Sequence, residues 1–295
     1  MHPMTPGILQ AVRSKETTEE KLDVLRDAYQ GETAFLLSCG PSIRQHPDKF
    51  YIEKLRDRFV MCVKQAHDLM KNSVDVHLLN TGNLQRYHYP GLKPLVAFSY
   101  RQERASMVPG SLKWDLVFPF SMKTRWWNRS RNRARWLSQS LVSTQDFESW
   151  MLDRSIERPA GPGIVLEVGL YLLLHMGFRQ VISIRYDSVP AEGQEYRHHY
   201  GSPHKSRHNT VRKWFSILRA RCPLCHVERL RYRFGRKIYP THVMKGEAEA
   251  INQGVAGMYE WLRQKGCQWS IGTHPSYLSS AIPRVDVCKH MSDGL

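Results

Sequence analysis

Two short stretches carry residue types suited to holding a phosphate. The first is Ser38-Cys39-Gly40-Pro41-Ser42, which breaks off the apolar run Ala34-Phe35-Leu36-Leu37. Gly40 lets another group approach the backbone closely, and Ser42 is placed to cap a following helix. The second is Ala160-Gly161-Pro162-Gly163, which leads into the apolar run from Ile164 to Met176. Each sets a small-residue turn at the start of an expected helix, where unpaired backbone N–H groups and the helix dipole favour an anion. Each also has a plain structural alternative, a strand-to-helix turn with an N-cap. The chain holds 14 histidines, and imidazole titrates near neutrality, so a histidine facing a crevice is a candidate general base. Asp187 and Asn80 end two strand-like runs, where side chains either meet a ligand or bond their own backbone. No Asp-x-Asp pair is present, so metal dependence of the common type is not expected.

These residues need a scaffold, and the hydrophobic pattern supplies an α/β one. Ala34–Ser38, Phe59–Lys64, Val74–Asn80, Leu95–Tyr100, Val181–Asp187 and Cys267–Gly272 read as buried strands. Pro47–Arg58, Asp68–Ser73, the run after Ile164 and Glu247–Lys265 read as helices, with Gly177 ending the third. Thr273–Pro283 reads as a loop and a short helix. Alternation of this kind predicts a mostly parallel, Rossmann-like sheet flanked by helices. Glu16–Tyr29 reads as an amphipathic helix with Leu22, Leu25 and Ala28 on its apolar stripe. From Ser188 to Met244 the pattern turns to Tyr, His and Arg, apart from a helical stretch over Val211–Leu218, and is expected to form an inserted lid. The domain reading is therefore an N-terminal helical extension over 1–30, a nucleotide-binding core over 31–187, a lid over 188–245 and a helix and strand completing the core over 246–295.

Composition bounds the partners. The chain has 295 residues, 41% of them hydrophobic, and a formal net charge of +16, so polyanions, phosphorylated small molecules or anionic membrane surfaces are the partners its surface favours. The opening residues lack the apolar core of a secretory signal, and no stretch reaches the roughly 18 apolar residues of a membrane span. The expectation is a cytoplasmic protein, peripheral to a membrane at most, with its cysteines as thiols. Cys222-Pro-Leu-Cys225-His226 has the spacing of a haem-attachment site and of half a zinc site; buried thiols are the favoured reading. Lys123–Trp136 interleaves arginines with three tryptophans, a mixture that suits stacking on bases or sugars, contact with lipid head groups, or a solvated face anchored by its indoles.

The order of LLSCGPSI, VMCVKQA (Val60–Ala66), HLLNTGN (His77–Asn83), AGPGIVLEVGLYLLLHMGFRQVISIRYD and YEWLRQKGCQWSIGTHPSYL (Tyr259–Leu278) resembles the bacterial sialyltransferases of glycosyltransferase family 42 and the related MptE-like proteins. The resemblance implies a Rossmann-like, GT-A-like fold and inverting transfer from a CMP-linked sugar without a metal or other cofactor. It implies that Cys39, Gly40, Pro41 and Ser42 cradle the donor phosphate, that Lys64, Asn80 and Asp187 lie beside the donor, and that Gly161 and Gly163 hold the nucleotide end. Tyr186, Tyr196 and Tyr200 would bind phosphate, and His242 or His204, with His198 and His199 as further candidates, would be the base. The acceptor implied is a glycan or glycolipid. Cys39, Lys64, Pro162 and Arg185 depart from the family's Asn, Asn, Ser and Gly. Two other readings are a pterin diphosphokinase of the MptE-like kind and a basic nucleic-acid-binding protein; no recognised nucleic-acid module accompanies the latter.

Overall fold

The structure is a computed structural model that describes residues 3–39, 48–70, 73–80, 87, 89, 94–101, 114–122, 157–158, 165–184, 186, 247–272 and 279–287. Its centre is a sheet of eight strands: β1 (Thr33–Leu37), β2 (Phe59–Val63), β3 (Val76–Asn80), β4 (Leu95–Arg101), β5 (Leu116–Met122), β6 (Glu157–Arg158), β7 (Gln180–Ile184) and β8 (Gln268–Ile271). Their spatial order is β6-β5-β4-β3-β2-β1-β7-β8, and every neighbouring pair is parallel. This is the α/β, Rossmann-like class that the alternating pattern predicts. The central strands read as unbroken apolar runs because both faces of a parallel sheet are covered: all five residues of β2 are buried.

One face carries Ala34, Leu36, Phe59, Met61, Val76, Leu78, Val181 and Trp269 against α1 (Pro6–Arg13), α2 (Thr18–Leu25), α5 (Leu170–His175) and α6 (Glu247–Gln264). The other carries Phe35, Leu37, Val60, Cys62, Ile182 and Ile184 against α3 (Asp48–Lys54) and α4 (His67–Met70). A short π-helical stretch, Val165–Gly169, leads into α5. No described helix is long and apolar enough to cross a membrane.

The segment read as an N-terminal extension is a layer of the core. Met4, Leu9, Val12, Leu22, Leu25 and Tyr29 belong to the same apolar cluster as the strands. Thr5 caps α1, with Pro6 in its first turn. Thr17 and Glu20 form a reciprocal capping box at the start of α2. The helix expected over Glu16–Tyr29 stops at Leu25, and Ala28 is exposed while Tyr29 is buried. The cause is a competing set of backbone bonds. The N–H groups of Asp27, Tyr29 and Gly31 donate to the carbonyls of His175, Met176 and Gly177 at 3.1, 2.8 and 3.0 Å, which lays 27–31 against the end of α5.

Two buried aspartates fix where strands begin. Asp75 precedes β3 and accepts from Met4 N and Val60 N, each at 2.8 Å. Asp115 precedes β5 and accepts from Val96 N at 2.7 Å and from Arg13 at 2.7 and 3.1 Å. Strand β5, absent from the strands read in the sequence, contains Pro119. In a parallel strand each residue turns its N–H and C=O to one side, and those of Val117 turn outward, to the Thr18 hydroxyl. Pro119 shares that parity, so its missing N–H falls on the outer edge and β4 loses no bond.

Candidate functional site

The strand order reverses between β1 and β7: from β1 the chain runs outward through β2 to β6, then returns to lay β7 and β8 on the other side. Connections leave such a pair in opposite directions, which opens a crevice beyond the carboxyl ends of the strands, the place where open α/β sheets take ligands. Ser38 stands at that edge. Its N–H donates to Ile184 O at 3.0 Å, extending the β1–β7 ladder by one residue. The side chain is buried, and its Oγ has no hydrogen-bond partner among the described residues. A buried hydroxyl without a partner is uncommon in a folded protein and marks a place where a polar atom of another molecule would be welcome.

Beside it, β2 ends on a strained residue. Lys64 has φ +50°, the left-handed region that side chains with a Cβ enter at a cost of about 1–2 kcal/mol. Two side chains take the carbonyls there. The Cys39 thiol donates to Val63 O at 3.0 Å, and the His77 imidazole meets Lys64 O through Nε2 at 2.7 Å. A carbonyl only accepts, so Nε2 carries the proton; burial keeps His77 neutral, and Nδ1 then accepts from the Tyr89 hydroxyl at 2.6 Å. Burial, helped by the stacked His67 ring 4.5 Å away, pushes the His77 pKa down to about 3. Burial raises the Cys39 thiol to about 11, so it stays protonated and serves as a donor rather than a nucleophile. Lys64 as a residue is partly buried and its charge acts electrostatically on Cys39. Among the described residues no carboxylate pairs with it.

The β1–β2–β3 registers, Leu37 with Cys62 and Val63 with Leu78, bring Cys39, Lys64 and Asn80 to the ends of three adjacent strands. Three of the residues expected at the donor site thus share one edge of the sheet. Tyr186 follows β7, and its ring lies 6.3 Å from that of Trp269. Gly40, Pro41, Ser42, Gly161, Gly163, Asp187, Tyr196, Tyr200, His204 and His242 lie outside the described residues, as do His198, His199, Cys222, Cys225, His226 and the Arg/Trp tract. His77 and Tyr89 are functional candidates that the sequence reading passed over, and Ser38 entered it only as the first residue of the small-residue stretch. A signal for one of them was present. A histidine inside the apolar strand VDVHLLN must be neutral and hydrogen-bonded if that strand is buried. No protein-family model, curated protein or solved structure matches the chain.

Chemically, the edge offers a cation without a carboxylate partner among the described residues, a buried hydroxyl and the ends of parallel strands. That set can bind an anionic oxygen and hold it against departure or attack.

Proposed function

We propose that this chain is a sialyltransferase-like glycosyltransferase that binds a nucleotide-linked sugar, of the CMP-linked kind, at the carboxyl edge of β1, β2 and β7. The observation that carries the reading is Lys64, partly buried at the carboxyl end of β2 and without a carboxylate partner among the described residues. In such a transfer the bond between the anomeric carbon and the phosphate oxygen breaks, and the electron pair stays on the phosphate. The acceptor hydroxyl forms the new bond and gives its proton to a histidine, for which His242 and His204 are the candidates. Lys64 would meet the charge left on the phosphate, the role a metal plays elsewhere, and Ser38 would donate to one of its oxygens. The acceptor is a glycan or a lipid-linked sugar. With a net charge of +16 the surface favours an anionic membrane where a lipid-linked acceptor resides.

A thermal-shift series with CMP, CDP, UDP, GDP, ADP and ATP, each with and without Mg²⁺, tests the reading, because a ligand that binds only the native state raises its melting temperature. The expected result is stabilisation by CMP that does not depend on Mg²⁺ and is lost in Lys64→Gln. An Mg²⁺-dependent ATP response would favour diphosphate transfer instead, and steeply salt-sensitive binding to any nucleic acid without nucleotide binding would favour the nucleic-acid reading.

A further inference from the structure

The part-buried His77–Tyr89 pair lies beside the Lys64 backbone, and nothing in the transfer chemistry uses it directly. Its geometry nevertheless bears on Lys64. The imidazole sits in β3, one strand away, and reaches across the sheet edge to the Lys64 carbonyl at 2.7 Å. That carbonyl belongs to the residue whose backbone is left-handed. Strain of this kind persists where surrounding contacts over-determine it, and it collects at binding sites. The Lys64 carbonyl only accepts, which requires the proton on Nε2, and the other ring nitrogen is engaged by the Tyr89 hydroxyl at 2.6 Å. His67 stacks on the ring at 4.5 Å, and Tyr87 meets it edge-on at 4.6 Å, so the imidazole can neither tilt nor flip without breaking the cluster.

We infer that His77 is a positioning residue: its Nε2–H, required there by the carbonyl it meets, holds the Lys64 carbonyl and so keeps the Lys64 backbone in the left-handed turn that presents the ammonium to a phosphate. The inference rests on the reading of Lys64 as the phosphate's counter-charge. Without the bond from His77, Lys64 relaxes toward ordinary backbone angles and its side chain leaves the edge. Replacement by Gln keeps an N–H donor, whereas Phe keeps only the ring.

The test is titration calorimetry with inorganic phosphate, then with CMP, on the full chain. Lys64→Gln and His77→Phe should each weaken phosphate binding about tenfold. The double variant should bind no more weakly than Lys64→Gln alone, since both act through one ammonium, and His77→Gln should recover part of the loss. Wild-type affinity in His77→Phe, or losses that simply add in the double variant, would overturn the inference. Phosphate binding that is unchanged by Lys64→Gln, or absent from the wild type, would overturn it together with the role of Lys64. If phosphate binds with the expected pattern but CMP binds no more tightly than phosphate, the nucleotide reading fails and the inference about His77 stands. Should His77→Phe fail to fold, ¹⁵N NMR of the wild type decides. The expected spectrum has His77 protonated at Nε2, with that resonance moving on phosphate saturation; a proton on Nδ1, or no response, would overturn it.

Discussion

His77 and Gly177 make different demands on the chain, and each can be tested alone. His77 titrates near 6.5 when unfolded but is held at about 3 in the fold. Between those values the unfolded chain binds a proton that the native state refuses, so stability falls as pH drops through this window. His77→Phe lacks the linkage, and urea titrations from pH 7 to pH 4 should therefore show a shallower loss of stability in the variant than in the wild type. Gly177 has φ +90°, and a Cβ there would lie 3.0 Å from Asp27 Cα and 3.1 Å from Gln30 Cα. Those neighbours are backbone and cannot step aside, so Gly177→Ala should lower stability by about 1–3 kcal/mol as read by urea unfolding. Neither demand can be read from its own sequence neighbourhood in full. A glycine after a leucine-rich helix does announce a left-handed C-cap, and Gly177 is one. The tautomer of His77 and the backbone angle of Lys64 depend on partners 12 and 13 residues away, and no local pattern encodes them.

At the level of elements, the buried carboxylates set how the N-terminal helices meet the sheet. Asp75 takes the N–H groups of Met4 and Val60 and is fully buried, so Asp75→Ala orphans two donors in the core. A loss of about 2–4 kcal/mol is expected in denaturant titration, larger than for Arg13→Ala, whose side chain is about one-third exposed. Hydrogen exchange should show α1 and the start of β3 loosening together in Asp75→Ala. Strands β1, β2, β3, β4, β7 and β8 were legible because burial on both faces leaves unbroken apolar runs such as FVMCV. Strand β5 was not, because Pro119 argues against a strand until its outward parity is known. Helix α1 was not either: at eight residues its stripe is Leu9 and Val12 alone, too short a pattern to separate from a loop. Of the site, the strand ends at Cys39, Lys64 and Asn80 could be found by reading where apolar runs stop. Ser38 could be read only as part of its small-residue stretch, since its want of a partner emerges only when β1 and β7 lie side by side.

For the whole molecule, the reversal of strand order also governs how the chain can be assembled. Strand β1 is complete within the first 37 residues, and β2 can pair with one of its edges soon afterwards. The other edge belongs to β7, and Thr33 waits for Gln180, 147 residues later. Over that interval the apolar stripe of α1 and α2 also lacks α5 and α6, the rest of its layer. Contacts so distant in sequence are slow to form, and an unpaired strand edge invites the wrong partner meanwhile. On the ribosome this becomes a matter of timing. Nascent chains halted after β2 but before Gln180 should be held by chaperones that cover exposed apolar segments, and those extended well beyond Ile184 should be released, which crosslinking of stalled chains would show.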